Sequence, residues 1–293
     1  MVNPRELAKA ILPARARARL RAAAERASTR TDTVLVFVGR HALKRWRSLS
    51  RSQPRQGIIM AMLCIRNPVY VRLAVSSINS LHYHNHMHRV SLYLDHICFA
   101  AFERLRKKLD YPQRVRPILI EDNQSMPWQF TKLDVVLTVS SQGIPFVDAD
   151  SRWHGDPSRF IIPDRAMFLV EVNKIGATES EGMLVAKGLG RPEWIDFRHF
   201  NTGFIAIPKE LYSEQLASEC RSLARKIHTI SDEMQFSPEQ TRLLKHTCEE
   251  LALSLTAQEV IGGRSICTLK ENDGPGNRTR LESYYVGALN KVQ

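Results

Sequence analysis

From residue 57 onward, short apolar runs alternate with longer segments in which apolar residues recur every three or four positions. That pattern predicts strands and helices in turn. Residues 58–65 read as an apolar strand, 68–81 as a helix with Pro68 in its first turn, and 90–94 as a second strand. Segments 99–109 and 115–120 repeat the helix and strand unit, and 127–139 supplies a third helix. Ile144, Phe146 and Val147 form a buried strand that runs into Asp148. Beyond Pro157, segments 166–172 and 200–207 read as strands, with Gly176, Gly182, Gly188 and Gly190 in a loop region between them; 209–227 and 238–256 read as helices. The alternation implies an α/β fold with a mostly parallel central sheet and helices on both faces. The expected divisions are 1–56, 57–157 and 158–293.

Segment 143–157, GIPFVDADSRWHGDP, ends its apolar run in two carboxylates one residue apart, Asp148 and Asp150. Ligands of open α/β sheets collect at the carboxyl ends of the strands. Side chains at i and i+2 on a fraying strand end can turn toward one ion. A hard divalent cation that also holds a diphosphate needs only one or two protein carboxylates. The pair therefore reads as a metal–nucleotide site; the competing reading of Asp148 is a turn cap.

The chain has 293 residues, 43% of them hydrophobic, enough for one large domain or two small ones, and a net charge of +12. The charge is local. Residues 1–55 hold 14 Lys plus Arg against Glu6, Glu25 and Asp32, which is 14 − 3 = +11 and leaves about +1 for the rest. The nearly neutral remainder argues against a nucleic-acid groove, and no nucleic-acid partner is expected. The Arg- and Ala-rich extension, helical or disordered, has sparse apolar anchors at Leu7, Ile11 and Leu20, with Pro13 interrupting. It suits peripheral contact with an anionic membrane, where each Lys or Arg contributes on the order of 1 kcal/mol. An organellar transit peptide has a similar composition. No apolar run approaches the roughly 20 residues needed to span a bilayer. Cys64, Cys98, Cys220, Cys248 and Cys267 form no CxxC pair, and their odd number fits a reducing compartment. The expected location is cytoplasmic, peripheral at the inner face of a membrane.

From residue 57 to about 290 the order of features resembles a glycosyltransferase of the GT-A fold, in the nucleotide-diphospho-sugar transferase superfamily. Arg66-Asn67 and Tyr70 follow the first strand, Trp128-Gln129 and Lys132 precede the acidic motif, FVDAD is similar to the family's DxD, and Phe200–Phe204 (FNTGF) is similar to its FNxG segment. The resemblance implies a nucleotide-binding half at 57–157 and an acceptor-binding half at 158–293. It implies Mn²⁺ or Mg²⁺ held by Asp148 and Asp150 on the diphosphate of a nucleotide-sugar, a UDP-sugar by preference. The sugar would pass to a hydroxyl of a saccharide or lipid-linked glycan, a hexosyltransferase-type reaction. Arg66, Asn67 and Tyr70 would meet base and ribose, with Asp95, Trp128 and Lys132 also on the nucleotide-sugar. Asn201 and Gly203 would line a sugar pocket. Glu249 and Glu250 resemble the acidic pair that opens a helix and supplies a catalytic base, with Asp232-Glu233 as second choice. The family's C-terminal His ligand has no counterpart in the stretch Tyr284-Tyr285-Val286-Gly287, so water or His154 would fill that position.

Two other functions compete. A sugar-phosphate nucleotidyltransferase needs a Gly-rich loop after the first strand, and Cys64–Pro68 offers none. A non-catalytic polyanion- or membrane-binding protein would act through the basic arm. The run His82, His84, His86 and His88 suggests zinc, yet its ligands share one short segment, so a polar, partly protonated loop is the expectation.

Overall fold

A computed structural model of the chain describes residues 57–159, 161–169, 185–186, 188–191, 197–234, 236–269 and 281–283. The extension 1–56, Gly176 and Gly182, and the stretch 284–287 lie outside these residues.

The first half is three successive β–α units. β1 (Ile59–Cys64) leads to α1 (Val69–His84), β2 (Arg89–Leu94) to α2 (His96–Leu105), and β3 (Val115–Leu119) to α3 (Trp128–Ser140). Next come β4 (Phe146–Val147), β5 (Ser151–Trp153), β6 (Ala166–Phe168) and β7 (Phe204–Ala206). α4 (Glu214–Glu233) and α5 (Pro238–Thr256) follow, then a π-helical turn at Ala257–Gly262, β8 (Ile266–Thr268) and β9 (Leu281–Ser283).

Seven strands form one sheet in the order β3-β2-β1-β4-β7-β6-β8, with only β7 antiparallel to its neighbours. The sheet is therefore mostly parallel, as the alternating pattern predicts. β1 is apolar throughout because it is covered on both sides. Met60, Met62 and Cys64 face a core shared with α1 and α2; Ala61 and Leu63, on the other face, meet α3, α4 and α5. β5 and β9 pair separately as an antiparallel ribbon.

Several boundaries differ from the pattern. The helix expected at 209–227 begins only at Glu214, capped by Ser213 accepting from the Leu216 N–H, and Lys209–Leu211 is a 3₁₀ turn after Pro208. The strand expected at 200–207 shortens to three residues because Phe200–Gly203 forms the loop that carries the site. Helix 238–256 appears as predicted, where Ser237 and Gln240 form a capping box behind Pro238. No described helix is long and apolar enough to cross a membrane.

Candidate active site

Chain connections run one way from β1 through β2 to β3 and the other way to β4, so the switch point lies between β1 and β4. In open α/β sheets the cleft opens there, at the carboxyl edge. The loop after β1 carries Arg66 and Asn67, and Tyr70 stands in the first turn of α1; the loop after β4 carries Asp148 and Asp150. The Asp148 N–H donates to Gly203 O at 2.9 Å, and the Asn201 Oδ1 accepts from the Gly203 N–H at 2.9 Å. The FNTGF loop thus lies directly against the acidic motif, and the Asn201 side chain shapes its turn.

Lys132 ties the centre together. Its ammonium sits 3.0 Å from Asp148 Oδ1, 3.3 Å from Thr202 Oγ1 and 3.7 Å from Glu249 Oε1, with the Lys132 residue only 6% exposed. Burial works against its charge most strongly, but the carboxylates of Asp148, Glu249 and Glu250 outweigh it and raise the ammonium above the ordinary lysine range. Glu249, 3% exposed, is pushed up to about 7, chiefly by burial, against the pull of Lys132. Its Oε2 has no hydrogen-bond partner among the described residues.

Glu250 is held differently. His199 Nε2 lies 2.8 Å from Oε1, while the Thr202 N–H and hydroxyl donate to Oε2 at 3.0 and 3.2 Å. Burial raises its pKa, but the bond and charge of His199 lead the effects that bring it below the ordinary glutamate value. Both glutamates stand in the interior of α5, so the expected position at a helix opening is corrected: α5 opens at Pro238 behind its own cap.

The residues around the carboxyl end of β1 divide into two groups. Arg66 Nε and Nη2 donate to the Asp122 carboxylate at 2.6 and 3.1 Å, and Nη2 also donates to Met126 O at 2.6 Å. The Arg66 backbone has φ 65°, a left-handed conformation costly for a side-chain-bearing residue, while its N–H donates to Asp95 Oδ2 at 2.5 Å. Asp95 Oδ1 accepts from the Cys98 N–H and caps α2; Asn67 Oδ1 accepts from the Val69 N–H before α1. In this conformation Arg66, Asn67 and Asp95 shape the loops. Half-buried Tyr70 faces the acids: burial first, then the charges of Asp150 and Asp148, raise its hydroxyl pKa. Trp128 begins α3, with the Lys132 ammonium 6.0 Å from its ring centre and the His246 ring edge-on at 5.7 Å.

Thr202, His199 and His246 belong to this cluster and were not anticipated. His199 and Thr202 flank Asn201, so proximity to the motif was the available signal; His246 falls in register only one turn before Glu249 on α5. The expected second-choice pair, Asp232-Glu233, ends α4, and Asp232 accepts from Lys245 at 2.5 Å. Exposed His154 lies beyond β5.

Of the histidine run, only His86 lies exposed in the turn after α1, where a polar loop was expected. His82 and His84 end α1, and His82 and His88 are 3% and 0% exposed. His88 Nδ1 accepts from the Ile58 N–H at 3.1 Å, and its Nε2 faces Asp156 Oδ1 at 3.0 Å. His82 Nε2 donates to His88 O at 3.0 Å. Burial holds both imidazole pKa values below the usual range, so they pack as neutral rings.

Among the described residues no three His, Cys, Asp or Glu side chains gather as a metal cage. The donor chemistry at Asp148 and Asp150 still fits a hard divalent ion, which takes one or two carboxylates and completes its shell with phosphate oxygens and water.

No family model and no curated relative matches the sequence. Solved structures to which the chain is similar are glycosyltransferases. GlyE of Streptococcus pneumoniae TIGR4 shares 13% identity over 74% of this chain and 46% of its own, at a TM-score of 0.45, so the match spans about half of that protein. The galactosyltransferase LgtC, solved with donor and acceptor sugar analogues, shares 10% over 78% and 87%, at 0.49. Core-mannan synthase A of Aspergillus fumigatus, in its Mn/GDP form, shares 9% over 76% and 75%, at 0.42.

Proposed function

We propose that the chain is a metal-dependent glycosyltransferase that moves a sugar from a UDP-sugar to a hydroxyl of a saccharide or lipid-linked glycan, using Mn²⁺ or Mg²⁺. The observation that carries this reading is the acidic pair at the switch point, with a buried lysine against its first member and a tyrosine within its field. Asp148 and Asp150 would hold the ion. When bound, the ion supplies positive charge to the diphosphate as it leaves. Lys132 adds a fixed cation at the same place without reorganisation, because its neighbours keep it protonated.

Tyr70 and Trp128 supply ring surfaces beside the acids for base, ribose or sugar. Asn201 and Gly203 bring backbone close to Asp148. Both oxygens of Glu250 are engaged by His199 and Thr202, so it acts as a positioning residue for the FNTGF loop. Glu249 positions Lys132. The basic arm, in this reading, holds the enzyme on the anionic inner face of a membrane.

The test is Asp150→Asn. UDP-sugar transfer or hydrolysis in Mn²⁺ should fall at least 100-fold, the scale of losing a main electrostatic contact. The Mn²⁺-dependent rise in Tm should vanish while the metal-free Tm stays within a few degrees. Full activity of this variant, or of the wild type in excess chelator, contradicts the proposal.

A further inference from the structure

Next to the Lys132 cluster, a cavity of about 760 Å³ opens where the start of α3, the end of α4 and the first half of α5 converge. That volume lies within the range of small-molecule sites, about 300–1,000 Å³. Gln129 lines it and is only 6% exposed, yet its side-chain amide makes no hydrogen bond among the described residues. The amide faces the open cavity, where a bound sugar hydroxyl would engage it as both donor and acceptor. Phe236 and His246 add ring surface to the same wall.

The charges in the wall are not balanced. Lys245 and Asp232 satisfy each other at 2.5 Å, whereas Arg242 has no ion pair among the described residues. One guanidinium is therefore uncommitted beside an uncommitted amide. His246 joins the cavity to the cluster: its ring meets Trp128 at 5.7 Å, and it feels the charges of Lys132 and Glu250.

We infer that this cavity is the acceptor subsite and takes a saccharide bearing an anionic group, carboxylate or phosphate. Gln129 bonds a ring hydroxyl, Phe236 and His246 cover an apolar sugar face, and Arg242 pairs with the anion in the bidentate manner open to guanidinium. This rests on the transferase reading above, but binding at the cavity is measurable without donor or metal.

The experiment titrates the full chain with glucuronate, glucose 6-phosphate and glucose, followed by calorimetry and ligand-observed NMR. At least one anionic sugar should bind about tenfold more tightly than glucose. Arg242→Gln, an exposed position, should remove that advantage and leave glucose unchanged. Gln129→Leu should weaken all three. The order of glucuronate and glucose 6-phosphate identifies the anion. Equal binding of glucose and both anionic sugars, no binding at all, or an unchanged anionic preference in Arg242→Gln overturns the inference. The two readings fail separately. The expected binding pattern with no transfer from any UDP-sugar sinks the transferase and keeps a saccharide site; transfer to neutral acceptors with neither anionic sugar bound sinks the subsite alone.

Discussion

At the scale of single residues, the site turns on one buried cation shared among three carboxylates. Lys132 neutralises Asp148 and Glu249, and truncating it would leave buried charge uncompensated, an error that costs about 3–5 kcal/mol in proteins generally. Glu249 makes this measurable. Its pKa rises from 4.5 to about 7 on folding, so the folded state binds its proton more tightly than the unfolded one. The stability from that proton is fully present below pH 4.5 and is lost as pH rises through 7. Glu249→Gln removes the titration. In metal-free protein it should be more stable than wild type by about 2–3 kcal/mol at pH 8 and nearly equal to it at pH 4.5. Denaturant melts at the two pH values check this; equal differences at both would show that Glu249 is not held near neutrality.

At the scale of elements, the helix ends explain where side chains land. α1 does not stop before its histidines but carries two of them in its last turn, and His82 there anchors the backbone of His88 ahead of β2. The His82 imidazole pKa is depressed from 6.5 to about 4, mainly by burial, so its contribution is present above pH 6.5 and lost as pH falls to about 4. The loss should amount to about 2–3 kcal/mol. His82→Gln keeps a donor for the His88 carbonyl but has no charge to gain. Its unfolding free energy should therefore fall less than that of the wild type between pH 6.5 and 4.5, as urea titration would record. An identical pH slope would mean that His82 does not titrate on unfolding.

At the scale of the whole molecule, the sheet order creates the cleft, and a strand from late in the chain pairs beside the acidic motif. β9 pairs with β5 just after the acidic motif, and Trp153 on β5 is 2% exposed, with its ring edge-on to Phe204 of β7 at 6.0 Å. Removing residues 281–293 strips β5 of its only strand partner among those described. We expect the truncated protein to retain the seven-stranded sheet by circular dichroism but to lose hydrogen-exchange protection at 151–153. It should bind UDP with Mn²⁺ at least tenfold more weakly, because Asp150 directly precedes β5. Unchanged protection would show that the ribbon does not steady the motif.

Local pattern alone determined much of this. Apolar runs at 58–65 and 90–94 are strands because a parallel sheet covered on both faces demands continuous hydrophobicity, and 238–256 is a helix because its cap, proline and periodicity agree. The acidic pair stood out for the same reason: it ends an apolar run. Tertiary structure decided what no local pattern encodes, namely which side chains meet. Arg66 reached Asp122 rather than solvent, Glu250 took His199 and Thr202, and Gln129 was left facing an open cavity, because loop closure and helix packing bring together residues tens of positions apart. His82 and His88 depended on it most, since only burial, a property of the assembled core, makes an imidazole neutral where the bare sequence suggested a partly protonated loop.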